Sequence, residues 1–118
     1  MYHANFLRFM ERARTEWLGA LGMDIAILER EHRVAFAVHR LEIEYVRPAR
    51  LGDRLHAGVQ LLHCGRSRLV VHQTVRLGSD VVARARVTLA CLDAAQWKPA
   101  RIPASLLSRL MQAHERST

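Results

Sequence analysis

Lysine is almost missing from this 118-residue chain: Lys98 stands alone, and arginine carries nearly all of the positive charge behind a formal net of +7. A basic surface attracts anions, among them nucleic acid, anionic lipid and phosphorylated cofactors. Basic runs longer than two residues are missing too, and 2 Trp, 2 Tyr and 3 Phe are too few for a platform that stacks bases, so nucleic acid is not an expected partner. Cysteine is scarce. Cys64 and Cys91 make no disulfide framework and read as buried thiols. No apolar run approaches the roughly 20 residues needed to cross a bilayer, which excludes stable membrane insertion by a helix. Arg8, Glu11, Arg12 and Arg14 interrupt the one N-terminal candidate for a secretory signal, so the expected compartment is the cytoplasm.

What is present is an ordinary globular balance, 50% hydrophobic and 25% charged, enough for one domain over 1–118 with a core of its own. From Ala4 to Leu21 the residues Phe6, Met10, Ala13, Trp17 and Leu21 recur at helical spacing, and Leu7, Phe9 and Leu18 widen the apolar face. This predicts a helix buried on more than one side, with Asn5 as its N-cap and Gly22 as the left-handed residue that ends it.

After a short stretch expected to be extended around Ile25 to Leu28, the pattern changes to period two. Val34, Phe36 and Val38 share a face, then Leu41, Ile43 and Tyr45 do, so the parity slips between Val38 and Leu41. An extra residue near His39 and Arg40, a β-bulge, accounts for the slip. Leu55, Ala57, Val59 and Leu61 alternate up to "CGRS", Leu69, Val71 and Val75 return, and after "LGSD" the inward set is Ala83, Ala85, Val87, Leu89 and Cys91. These three strands form an antiparallel meander. "QWKPARIP" is an irregular exit, and Ala104 to His114 is a short terminal helix.

One long apolar helix followed by long antiparallel strands is accommodated most simply by a curved antiparallel sheet wrapped around a central helix, the α+β hotdog arrangement. "YHANF" followed by "FMERARTEWL", together with "LEIEYVRPARLGDRL", "ARARVTLACLD" and "KPARIP", resembles the acyl-CoA thioesterases of the 4-hydroxybenzoyl-CoA thioesterase type, including those encoded with the Tol-Pal envelope system. The likeness covers nearly the whole chain. It implies a hotdog fold, assembly into a homodimer or homotetramer, and hydrolysis of a short-chain or aromatic acyl-CoA. Coenzyme A enters as part of the substrate and no separate cofactor is implied. A hotdog protein that binds acyl-CoA or acyl-carrier protein without turnover is the alternative.

Members of this type carry an aspartate in a D-x-x-G stretch just before the segment matching Tyr2 and His3, and this chain does not contain it. The expectation is a reading frame that begins further upstream, leaving 1–118 without the family's first strand and catalytic loop. The resemblance assigns catalytic positions to His3 and Tyr2. Asn5 is a candidate lining of the acyl pocket, and Arg66 and Arg68, or Arg47 and Arg50, are candidates for holding the CoA phosphates. Glu11 is the carboxylate nearest the helix start and reads more simply as a salt-bridged surface residue. His56, His63 and His72 show no ligand spacing with a third partner, so no metal is expected. Restoring the upstream codons should reveal an Asp several residues before Tyr2 and raise kcat/KM by at least ~10²-fold, the size typical of a positioned acid–base group. A stop codon directly upstream of Met1, or full activity from the 118 residues, would overturn this.

Overall fold

The first helix, α1, spans His3–Ala20 in a computed structural model that describes residues 3–48 and 54–117, with side-chain surroundings described over 6–48 and 54–112. Phe6, Met10 and Leu18 form its buried stripe, and Phe9, Trp17 and Leu21 flank that stripe half-buried. The helix closes with the Gly22 N–H donating to the Gly19 carbonyl at 2.9 Å and the Met23 N–H to the Leu18 carbonyl at 3.0 Å. That closure needs a left-handed residue, and Gly22 supplies it at φ +81°. Arg109 adds a tie from the far end of the chain, its Nη1 donating to the Leu21 carbonyl at 2.7 Å, where the helix dipole favours a cation. Asn5 lies inside α1 rather than at its cap, and its side chain lies outside the described residues.

The segment around Ile25 to Leu28 is not extended. It forms a helical turn, α2 (Ile25–Ile27), which runs into a π-helical turn over Leu28–His32. Asp24 explains the difference, because its carboxylate accepts the Ile27 N–H at 2.9 Å and caps the turn. Leu28 anchors the segment in the core, and Arg33, left-handed at φ 56°, ends it and releases the chain into the sheet.

Four strands follow, β1 (Val34–Tyr45), β2 (Leu55–Cys64), β3 (Arg68–Leu77) and β4 (Asp80–Asp93), and all pair antiparallel in the order β1-β4-β3-β2. β2, β3 and β4 are the expected meander, with Gly78 at φ +62° in the second turn. The β1–β4 register breaks between Val38 and Arg40, so the bulge stands at His39, where the parity slips. A second break, between Leu61 and His63, leaves Leu62 outward and exposed. The inner face presents Leu69, Val71, Gln73 and Val75 of β3 with Ala83, Ala85, Val87, Leu89 and Cys91 of β4, all buried against the α1 stripe. A last helix, α3 (Ala104–Ser117), buries Leu106 and Leu110 and packs beside β2.

This is the hotdog arrangement, an α+β fold with the sheet against a central helix. One side of α1 stays open, with Leu7, Glu11 and Arg12 exposed, so the helix is less enclosed than its apolar positions predict. Met10 is fully buried and Trp17 is not. Met10→Ala should therefore cost about 2–5 kcal/mol through lost burial and the cavity, and Trp17→Ala should cost less than the ~3–5 kcal/mol typical of a buried Trp. Urea midpoints of the two variants give the comparison, and a larger loss for Trp17→Ala would contradict this packing.

Candidate active site

The ring of Phe6 meets Tyr45 edge-on, with centroids 5.5 Å apart and planes at 72°. The first turn of α1 therefore lies at the sheet end where β1 finishes and β2 and β4 begin, while Leu18 lines a cleft with Val34 at the opposite end. That first turn has backbone N–H groups without helical acceptors, and the dipole adds partial positive charge, which suits a developing oxyanion. His3 opens α1, but its side chain and all of Tyr2 lie outside the described residues, as do the Asn5 side chain and Arg50.

Arg66 and Arg68 flank the β2–β3 turn, Arg68 pairing with Ala90 and the Arg66 carbonyl accepting the Ile102 N–H at 2.9 Å. They stand at the end of the sheet remote from the first turn of α1, so one chain does not bring them together with it. Two of the basic groups at that end of the sheet are engaged: Arg47 pairs with Asp80 at 3.3 Å and Arg84 with Glu44 at 2.6 Å. His56 faces Arg76 and His63 faces Val70, well apart on the ladder. Among the described residues no three His, Cys, Asp or Glu side chains converge.

A cleft of about 410 Å³ runs along α1, between its Glu11–Leu18 face and the first residues of β1. Leu18, Met23, Leu28, Val34, Phe36 and Leu89 give it apolar walls, and Glu11, Arg14 and Thr15 are polar groups on its helix side. Beneath it lies Gln73, fully buried on β3. The Gln73 amide nitrogen donates to the Met10 carbonyl at 2.9 Å, and its Oε1 accepts Arg14 Nη1 at 2.8 Å. Burial lowers the Arg14 pKa from its ordinary value, and the Glu11 charge opposes that shift. Burial disfavours the thiolate at both cysteines, pushing Cys91 up to about 11 and raising Cys64 as well.

The model of the thioesterase-like superfamily matches residues 1–110. The chain belongs to that superfamily. It is 34% identical over 113 residues to the acyl-CoA thioester hydrolase YbgC of Escherichia coli, covering 95% of this chain and 84% of that one. It is 33% identical over 103 residues to the acyl-CoA thioesterase YbgC of Haemophilus influenzae, covering 87% and 76%. A thioesterase of Thermus thermophilus solved with coenzyme A and zinc superposes at TM-score 0.81 with 31% identity, covering 98% of this chain and 82% of that one.

Within this thioesterase-like fold, Gln73 and Arg14 are the residues that sequence reading passes over. Arg14 sits four residues after Met10 and four before Leu18, on the apolar stripe itself. Gln73 takes the inward parity between Val71 and Val75. A polar residue in each of two facing apolar patterns was the available signal. For the thiols, iodoacetamide at pH 8 should leave Cys91 unmodified in the folded protein and label it only after unfolding in urea, as read by mass spectrometry. Labelling of native Cys91 at the rate of a free thiol would contradict its placement.

Proposed function

We propose that this chain hydrolyses the thioester of an acyl-CoA, with the acyl group in the cleft along α1. The cleft carries the reading: a mostly apolar hollow with a few polar groups, of a size common for small-molecule sites, beside a helix in a thioesterase-like fold. The names of the relatives, acyl-CoA thioesterases and an acyl-CoA thioester hydrolase, support the same chemistry. Water adds to the thioester carbonyl, the oxyanion is held by the first-turn N–H groups of α1, and the C–S bond breaks to release the free acid and the coenzyme A thiol. A carboxylate takes the proton of the attacking water. Among the described residues Glu11 is the carboxylate of α1 that borders the cleft.

The first turn and the cleft occupy opposite ends of one chain, and a homodimer reconciles them. β1 is an edge strand with Val38 49% exposed and Leu41, Tyr45 and Val46 also exposed. Antiparallel pairing of two β1 edges centred on Leu41 would set Arg40, which already pairs with Glu42 of its own strand at 3.0 Å, opposite Glu42 of a second copy, and would bring the start of one β1 toward the end of the other. Ala37 lines the cleft and Tyr45 contacts Phe6, so the second copy's first turn comes toward this cleft. The same pairing would put the sheet end that carries Arg66 and Arg68 on the same side as the first turn of the other copy, with β4 and β1 between them and the seam. A short-chain or aromatic acyl group then spans the remaining distance.

Release of coenzyme A from acetyl-, butyryl- and benzoyl-CoA, followed with a thiol reagent, tests the activity. Turnover of at least one supports it, and binding of all three without release would leave a non-catalytic acyl-CoA protein. For assembly, light scattering should give a dimer or dimer of dimers at micromolar concentration. Arg40→Glu should weaken association by on the order of 10-fold or more through like-charge contact with Glu42, and adding Glu42→Arg should restore it. A stable monomer from the unaltered chain would sink the assembly.

A further inference from the structure

Arg14 is an odd residue for its position. It occupies the sheet-facing stripe of α1, is half-buried, and lines the apolar cleft beside Leu18 and Leu89. Its partner there is a neutral amide, Gln73 Oε1 at 2.8 Å, and among the described residues it forms no ion pair. Gln73 is itself locked, since its other end donates to the Met10 carbonyl and its side chain has no exposed surface. One N–H of the guanidinium is thus tied down by a rigid acceptor, which fixes the plane of the group. The guanidinium has five donors in a planar fork, and Gln73 takes one. Every fully buried side-chain nitrogen and oxygen among the described residues has a partner, so the remaining donors of Arg14 are not sealed in the core, and the side chain borders the cleft.

A partly desolvated cation that makes no direct ion pair, its nearest counter-charge being the exposed Glu11, is a recognition element for an oxygen acceptor when it borders an apolar hollow. We propose that Arg14 is a specificity-determining residue that binds a carboxylate carried on the acyl group at the end remote from the thioester, so that the preferred substrates are thioesters of dicarboxylic acids. Two other charged groups line the cleft, Glu11 and Glu29, and both are solvent-exposed. Their repulsion of a bound carboxylate is screened by water, whereas the bond to Arg14 forms where water is partly excluded. A neutral hydroxyl would use the same donors more weakly. The +7 charge of the chain adds a general attraction for such anionic groups. The proposal rests on the acyl-CoA reading and on the cleft as the place of the acyl group.

The test measures binding with thioethers of coenzyme A, which cannot be hydrolysed, so it does not depend on turnover. S-pentyl- and S-benzyl-CoA are compared by calorimetry with their ω-carboxy, para-carboxy and ω-hydroxy counterparts. In the unaltered protein the carboxylate should tighten binding by about 10-fold or more over the plain thioether on at least one stem, with the hydroxyl between. Arg14→Met should reduce that ratio to about one, whatever its effect on the affinity for the plain thioether. Arg14→Lys should keep part of it. Gln73→Met should lower the ratio without removing the charge, which a purely structural role for Arg14 would not do, because damage to the fold weakens all ligands alike. A ratio near one in the unaltered protein, or an unchanged ratio in Arg14→Met, overturns the assignment to Arg14 while leaving the acyl-CoA reading in place. Failure of every thioether to bind overturns both.

Discussion

The side-chain amide of Gln73 joins α1 to β3 across an interface that is otherwise apolar. Hydrophobic contact has no direction, and a stripe of Phe6, Met10 and Leu18 on Val71, Val75 and Val87 would tolerate a helix shifted along its axis. Hydrogen bonds do not tolerate it. The Gln73 nitrogen reaches the Met10 carbonyl and its oxygen reaches Arg14, one turn further on, and a fully buried amide that lost either partner would bear an uncompensated desolvation cost of about 1–3 kcal/mol. Only one placement of α1 satisfies both ends. The position of the helix first turn, the width of the cleft and the angle of the Arg14 guanidinium all follow from it.

Much of the frame was legible because it rests on local rules. Period-two alternation gave the inward faces of β2, β3 and β4, and the parity slip gave the bulge at His39, since one extra residue reverses every later side chain. Gly22 was legible from its place after the last apolar residue. Other features depended on competition that a single pattern does not reveal. Ile25 and Ile27 carry strand-like side chains, yet the Asp24 carboxylate satisfies the Ile27 N–H and turns the segment helical. Trp17 has the spacing of a core residue, but among the described residues it packs only half-buried at the rim of the core. The Arg14–Gln73 contact joins residues 59 positions apart, and neither side of it signals the other.

The strand order also separates the first turn of α1 from the cleft. The helix runs antiparallel to β1, which sets its first turn beside Tyr45 and its cleft beside Val34. An edge strand of 12 residues with exposed apolar groups is a liability in isolation and a template for pairing when a copy is present. The outward charges of β1 are matched within the chain, Arg40 with Glu42 and Glu44 with Arg84, so this edge carries little net charge to repel a second strand.

The scarcity of lysine takes on meaning at Arg14. An ammonium at that position would be a compact, strongly hydrated charge whose desolvation on the Met10–Leu18 stripe favours the neutral amine, and its donors rotate freely. A guanidinium is more weakly hydrated and stays charged under partial burial, and its planar fork lets one N–H be anchored by Gln73 while the others keep a fixed direction. Holding a cation in an apolar wall and aiming it are therefore the same act here, and arginine is the side chain that permits both.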